Sequence, residues 1–235
     1  MTRLITFIQD PTLSPLYGLV LSGGRSTRMK QDKATLRYHG KMQVIHAFEL
    51  LSAHCEKVFL SNRQEQAHRY PGFPQIHDLY QNLGPLSGIL SAMTVFPDVA
   101  WLVLANDMPY VDTKTIQTLI HHRNPLKMAV AYQNPQHSFP EPLCTIYEPG
   151  MKSQLLKRFE MGRHSLRRAL EHVDIQLLPP SNGFTLVDVN DPDGYRQAVE
   201  FLSNSYPPRP RQTTVCPGEE KETPCQKGEI PSWEG

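Results

Sequence analysis

Leu21-Ser22-Gly23-Gly24 ends in two adjacent glycines, and Arg25, Arg28 and Lys33 follow within nine positions. Paired glycines let a backbone turn sharply and present its N–H groups to an anion. Guanidinium and ammonium groups on the same loop suit phosphate oxygens. The chemistry these residues imply is the holding of a polyphosphate. Two carboxylates belong with them: Asp78 after Gln75-Ile76-His77, and Asp107 after the apolar run Trp101–Ala105 and Asn106. An acid directly after such a run stands at the rim of a core and needs a partner, and beside a polyphosphate a divalent cation fills that need. The plainer readings are a basic surface turn for the glycines and a turn cap for Asp107. For Asp78 a structural and a ligand-binding role stand level.

Two other glycine-rich loops do not fit. A P-loop needs G-x-x-x-x-G-K-[ST], and neither Lys30 nor Lys33 follows a glycine in that way. A dinucleotide loop needs G-x-G-x-x-G, whereas Gly23 and Gly24 are adjacent and no third glycine follows.

Elements must bring these residues together. Tyr17–Leu21, Lys57–Leu60, Gln75–Asp78, Trp101–Ala105, Met128–Tyr132, Leu143–Tyr147 and residues 174–178 read as strands, and Ala34–Tyr38 has strand character. Apolar spacing predicts helices over Gln43–His54, Leu86–Phe96, 113–122, 151–160, 165–172 and Pro192–Leu202, with Asp112 or Thr113 as a cap. Trp101–Ala105, the most apolar of the strands, is expected at the centre of the sheet. Strand–helix alternation predicts a single α/β domain with a doubly wound, mostly parallel sheet. In such sheets ligands bind outside the carboxyl ends of the strands, where Gly23, Asp78 and Asp107 all fall.

Composition narrows the classes. The 235 residues suffice for one substantial domain, and a net charge of +1 with 20% charged residues argues against a nucleic-acid-binding protein. No histidine pairing of zinc-site type occurs among the ten histidines. Cys55, Cys144, Cys216 and Cys225 are scattered, which points to reduced thiols and a cytoplasmic setting. No stretch approaches the ~20 apolar residues of a membrane span. Residues 1–14 read as a loosely held leader, 15–202 as the folded domain, and 203–235 as a disordered tail with prolines at 207, 208, 210, 217, 224 and 231.

From Leu21 to Lys33 the chain resembles the signature L-x-G-G-x-S-x-R-M-G-x-D-K of the molybdenum cofactor guanylyltransferases, with Lys30 at the position of the last glycine. Further matches run in order over residues 16–202: Asp78 ahead of Gly84-Pro85-Leu86, Asn106-Asp107-Met108-Pro109, the Pro142-Leu143-Cys144 segment, and Val189-Asn190-Asp191-Pro192. Two further departures are Leu60, where the family's Asn at the end of the second strand falls although Asn62 and Arg63 match, and Asp188 in place of a first Asn.

The resemblance implies the nucleotide-diphospho-sugar transferase fold and Mg²⁺-dependent transfer of GMP from GTP to Mo-molybdopterin. Leu21, Ser22, Gly23, Gly24, Lys33, Asp78, Asp107 and Asn190 would then hold the nucleotide, and Asp107 the Mg²⁺. Arg25, Arg28 and Lys33 would neutralise the β- and γ-phosphates, and with Asp107 would carry catalysis. It further implies transient contact with other molybdenum cofactor proteins, with no nucleic-acid or membrane partner. A cytidylyltransferase of the same build using CTP, or a non-catalytic nucleotide-binding domain, are the alternatives. Arg158, Arg163, His164, Arg167 and Arg168 read as a solvated helix face, or else as a dock for a phosphate-bearing pterin.

Overall fold

The computed structural model describes residues 13–23, 36–38, 40–80, 83–134, 137–179 and 185–205. The expected leader and tail fall almost wholly outside these, as do Gly24, Arg25, Arg28, Lys30 and Lys33. The described residues form strands β1 (Leu16–Leu21), β2 (Lys57–Asn62), β3 (Gln75–His77), β4 (Ala100–Ala105), β5 (Ala129–Gln133), β6 (Pro140–Tyr147) and β7 (Gln176–Leu178). Helices α1 (Gln43–Ser52), α2 (Pro85–Val95), α3 (Thr113–His121), α4 (Met151–Glu160), α5 (Leu166–Glu171) and α6 (Pro192–Ser205) accompany them.

One sheet holds all seven strands in the order β3-β2-β1-β4-β6-β5-β7. Its middle strand is β4, buried along its whole length as its unbroken apolar sequence requires. Successive side chains of β4 enter opposite layers. Leu102 and Leu104 pack with Val44, Ala47 and Leu51 of α1 and with Ile116 and Leu119 of α3. Trp101 and Val103 pack with Ile89 and Met93 of α2, Leu155 of α4 and Leu170 of α5. Both faces are thus covered, which makes a three-layer α/β domain.

β3, β2, β1 and β4 pair in parallel, and β7 is parallel to β5. β6 runs antiparallel to both β4 and β5. The reason is connection length: residues 134–139 are too few for the crossover of a dozen or more that a parallel pair needs, so β5 and β6 form a hairpin. The first residues of β6, not its last, therefore lie at the edge where the parallel strands end.

The strand expected over Ala34–Tyr38 is not a sheet member within the described residues. Arg37 makes only an isolated bridge to Met42. Leu36 and Tyr38 instead pack with Val189 and with Ala198 and Leu202 of α6, in a satellite cluster beyond the sheet. β2 extends through Ser61 and Asn62, past the expected end at Leu60. A short 3₁₀ helix, Gln64–Arg69, follows it where the sequence gave no periodic signal. α6 continues to Ser205, three residues beyond the expected Leu202. Asp112 is the cap of α3, accepting from Thr115 N at 2.8 Å.

Candidate active site

The chain builds β1, β2 and β3 outward in one direction, then returns to place β4 on the other side of β1. Loops leaving β1 and β4 therefore diverge at their carboxyl ends and open a crevice. A cavity of about 400 Å³ lies there, within the size range of small-molecule sites. Leu21 and Gly23 line it from β1, Ser61 and Arg63 from β2, and Asp78 from β3. Ala105, Asn106 and Asp107 line it from β4, Leu83, Gly84, Pro85, Ser87 and Gly88 from the start of α2, and Leu143 from β6. Gly23, Asp78 and Asp107 thus share one cavity.

Asp78 is held from two sides. Its N–H donates to Asn62 O at 3.0 Å, and Ser61 Oγ donates to its Oδ1 at 3.3 Å. Asn62, wholly buried, bonds Gln75 Oε1 through Nδ2 at 2.7 Å and His77 Nδ1 through Oδ1 at 2.8 Å. Gln75 Nε2 in turn donates to Ala67 O and Tyr70 O. This network of short polar side chains fixes the strand end that carries Asp78. Burial pushes the Asp78 carboxyl above the usual range; the Ser61 hydroxyl, Arg63 and His77 draw it back, and Glu65 adds to the rise. Leu60, where the family's Asn is expected to fall, is a core residue 1% exposed, and the buried polar residue at the end of β2 is Asn62.

A β-carbon on Gly23 would stand 3.5 Å from Asn62 Cα and 3.7 Å from Asp78 Oδ2, ordinary contact distances, on the side of the loop that faces that carboxylate. Ser22 is buried, and both its N–H and its hydroxyl donate to Ser61 O at 2.9 Å. Its polar groups thus staple β1 to β2 instead of lining the cavity.

Across the cavity, Asn106 N donates to Leu21 O at 3.3 Å and carries the β1–β4 pairing one residue past the strands. Asp107 comes next, with its carbonyl accepting from Val189 N at 2.8 Å. That bond brings the segment holding Asp188 and Asn190 to the site, and Asn190 Nδ2 donates to Asp188 Oδ2. Asp191 caps α6 immediately afterwards, through Gly194 N at 2.8 Å. Asn190 is thereby held beside the Asp107 backbone and outside the cavity wall formed by the described residues.

Beside Gly84, already marked by the Gly84-Pro85-Leu86 match, Gly88 and Glu141 take part without a sequence signal of their own. Gly84 opens α2 at φ +58°, a left-handed conformation that favours glycine. Gly88 lets α2 lie against the ends of β1 and β2, with Leu21 Cδ2 2.9 Å from where a β-carbon would be. Glu141, 7% exposed, accepts from Leu143 N at 3.0 Å and from Asn134 Nδ2 at 3.1 Å. Burial raises its carboxyl first of all, those two bonds lower it, and Asp188 and Asp107 raise it again, so three acids share this end of the sheet.

The family profile described as "MobA-like NTP transferase domain" matches residues 18–177. The chain belongs to this family. A molybdenum cofactor biosynthesis bifunctional protein of Synechocystis sp. is 37% identical over 190 residues, which cover 80% of this chain and 55% of that protein. The chain thus spans about half the length of that relative. A protein of Thermococcus sibiricus named as a probable molybdenum cofactor guanylyltransferase is 26% identical over 187 residues, covering 74% of this chain and 93% of that one. The crystal structure of molybdopterin-guanine dinucleotide biosynthesis protein A from Archaeoglobus fulgidus superposes with a TM-score of 0.68 at 23% identity, covering 80% of this chain and 99% of that one. That likeness shows the fold. Among the described residues no helix is long and apolar enough to cross a membrane.

Proposed function

We propose that this MobA-like transferase moves GMP from GTP to the phosphate of Mo-molybdopterin, releasing pyrophosphate. The observation that carries the reading is the convergence of Gly23, Asp78 and Asp107 on one cavity at the β1/β4 divergence, in a chain whose relatives bear guanylyltransferase names.

The acceptor brings its own nucleophile. A phosphate oxygen of Mo-molybdopterin attacks the α-phosphorus of GTP, the new P–O bond forms as the bond to the β-phosphate bridge breaks, and the electron pair leaves with pyrophosphate. No serine or cysteine nucleophile is required, so the protein's task is to hold two anions in line and offset their charge. Gly23 offers close backbone approach to the nucleotide, and Asp78 a fixed acceptor for its hydroxyl or N–H groups. Arg25, Arg28 and Lys33, in the segment that follows Gly23, are assigned to the β- and γ-phosphates.

The site's donors suit Mg²⁺. Asp107 supplies a hard oxygen at the cavity wall, and among the described residues no group of three or more His, Cys, Asp or Glu side chains is placed to hold a metal ion alone. Mg²⁺ is bound in just this manner, through one or two carboxylates with water and substrate phosphates. Asp107, whose backbone Val189 holds, would be its ligand, and the ion would supply neutralisation of charge on the triphosphate. We further propose transient contact with other proteins of molybdenum cofactor synthesis, because the Synechocystis relative carries the matched region inside a bifunctional chain. A cytoplasmic setting suits Cys55 and Cys144, both free thiols.

Calorimetry with GTP, CTP, ATP and UTP in the presence of Mg²⁺ tests the reading. GTP is expected to bind preferentially, and pyrophosphate to appear when Mo-molybdopterin is added. Preference for CTP would make the protein a cytidylyltransferase, and absence of binding to all four would overturn the reading.

A further inference from the structure

Two sets of ring and cation contacts reach the α4–α5 segment from elements that also supply cavity residues. The first starts two residues past Asp78: Tyr80 packs edge-to-face on Phe159 of α4 at 5.3 Å, and Phe159 lies 6.0 Å from the His164 ring in the turn. The second starts on the β5–β6 hairpin, four residues ahead of the cavity residue Leu143. There the Arg167 guanidinium of α5 sits 4.6 Å over the Phe139 ring. Glu141 fixes the hairpin beneath it by bonding Asn134 and Leu143.

Arg158 lies on α4 beside Phe159, and its Nε is buried with no hydrogen-bond partner. A buried guanidinium N–H left unmatched is costly, and an incoming acceptor atom would relieve it. Over residues 157–168 the chain carries five Lys or Arg against one Glu, so the shelf is strongly positive. A solvated helix face accounts for the exposed charges, and Arg167 also has Glu171 at 3.8 Å. Solvation does not account for a guanidinium stacked on Phe139, for a buried Arg158 Nε, or for Tyr80 being bonded through its carbonyl by the cavity residue Ser87.

We propose that this aromatic and cationic shelf holds the body of the second substrate, an anionic heterocycle, while its phosphate reaches into the cavity toward Asp107. The inference rests on the guanylyltransferase reading and adds to it the residues that select the acceptor. Tyr80, Phe159 and His164 supply ring surface for a heterocycle, Phe139 is already stacked on His137 at 5.0 Å and serves to position Arg167, and guanidinium groups supply paired donors for anionic oxygens or sulfurs. Tyr80, Phe139, Arg158, Phe159, His164 and Arg167 then determine acceptor affinity and leave GTP affinity alone.

The test is steady-state transfer to Mo-molybdopterin at saturating GTP, with GTP affinity measured separately by calorimetry. Arg158→Gln and Arg167→Gln are expected to raise KM for the acceptor about tenfold or more, with kcat and the GTP Kd little changed. Arg167→Lys keeps the charge without the planar fork and should fall between. Arg167 is partly exposed, so its variants keep the test open should Arg158→Gln fold poorly. Unchanged acceptor KM in both Gln variants, with the wild type active, overturns the shelf alone. A wild type that binds no GTP, or transfers nothing to Mo-molybdopterin, overturns the guanylyltransferase reading and the shelf with it.

Discussion

Gly88 and Ser61 compete for one small space: a β-carbon on Gly88 would overlap the Ser61 hydroxyl, the same hydroxyl that donates to Asp78. Leu21 Cδ2 at 2.9 Å and Ser61 Cβ at 3.2 Å close the remaining room. Helix α2 can lie on the strand ends only while that position has no side chain. Gly88→Ala is expected to cost about 1–3 kcal/mol through overpacking, seen as a lower Tm. Adding Ser61→Ala removes the overlapping oxygen and should recover part of the loss, so the two changes will not add. A Gly88→Ala protein that melts with the wild type would refute the packing argument.

Asp107→Ala should cut pyrophosphate release sharply. Loss of a metal-holding carboxylate removes several kcal/mol of transition-state stabilisation, so kcat/KM is expected to fall by about a hundredfold or more. Unaltered circular dichroism would show that the fold survives. Near-normal turnover would remove Asp107 from the chemistry.

The raised carboxyl of Asp78 has a defined sign in stability. Burial favours its protonated form, so the folded protein keeps a proton that the unfolded chain has already released. Stability from this group is therefore present at low pH and is lost as pH rises from the ordinary carboxylate range through the raised value. Comparing Tm of the wild type and Asp78→Asn from about pH 4 to about pH 7 should show the wild type losing ground to the variant as pH rises. Parallel profiles would mean that Asp78 is not perturbed.

At the end of the strands away from the cavity, Arg123 and Glu148 form a two-pronged ion pair at 2.8 and 2.9 Å, with side chains only 6% and 7% exposed. Arg123 Nη2 also donates to Ser14 O at 3.1 Å, anchoring the chain just ahead of β1. Arg123→Ala leaves a buried carboxylate alone and should cost about 3–5 kcal/mol in denaturant unfolding. The GTP Kd should be untouched, because the pair lies at the opposite end of the strands from the cavity. A weakened GTP affinity in a variant that still folds would contradict that separation.

What the sequence disclosed and what it withheld divide along physical lines. Trp101–Ala105 announced a central strand because burial on both faces demands unbroken apolarity, and Asp107 stood out by following it. The strand end at Ser61-Asn62 was hidden because buried polar residues look like a loop until their partners Asp78, Gln75 and His77 are in place. Those partners lie 13 to 17 positions away, and no local pattern encodes them. The reversal of β6 was legible in principle from the shortness of residues 134–139. The strand expected at Ala34–Tyr38 had the right residue types, but Leu36 and Tyr38 use them against α6.

The Val189–Asp107 bond orders events in time. During synthesis β1 through β4 emerge first, and with them Gly23, Asp78 and Asp107, while the residue that clasps Asp107 leaves the ribosome some eighty positions later. The strand ends that form this side of the cavity are thus synthesised well before the residue that clasps Asp107.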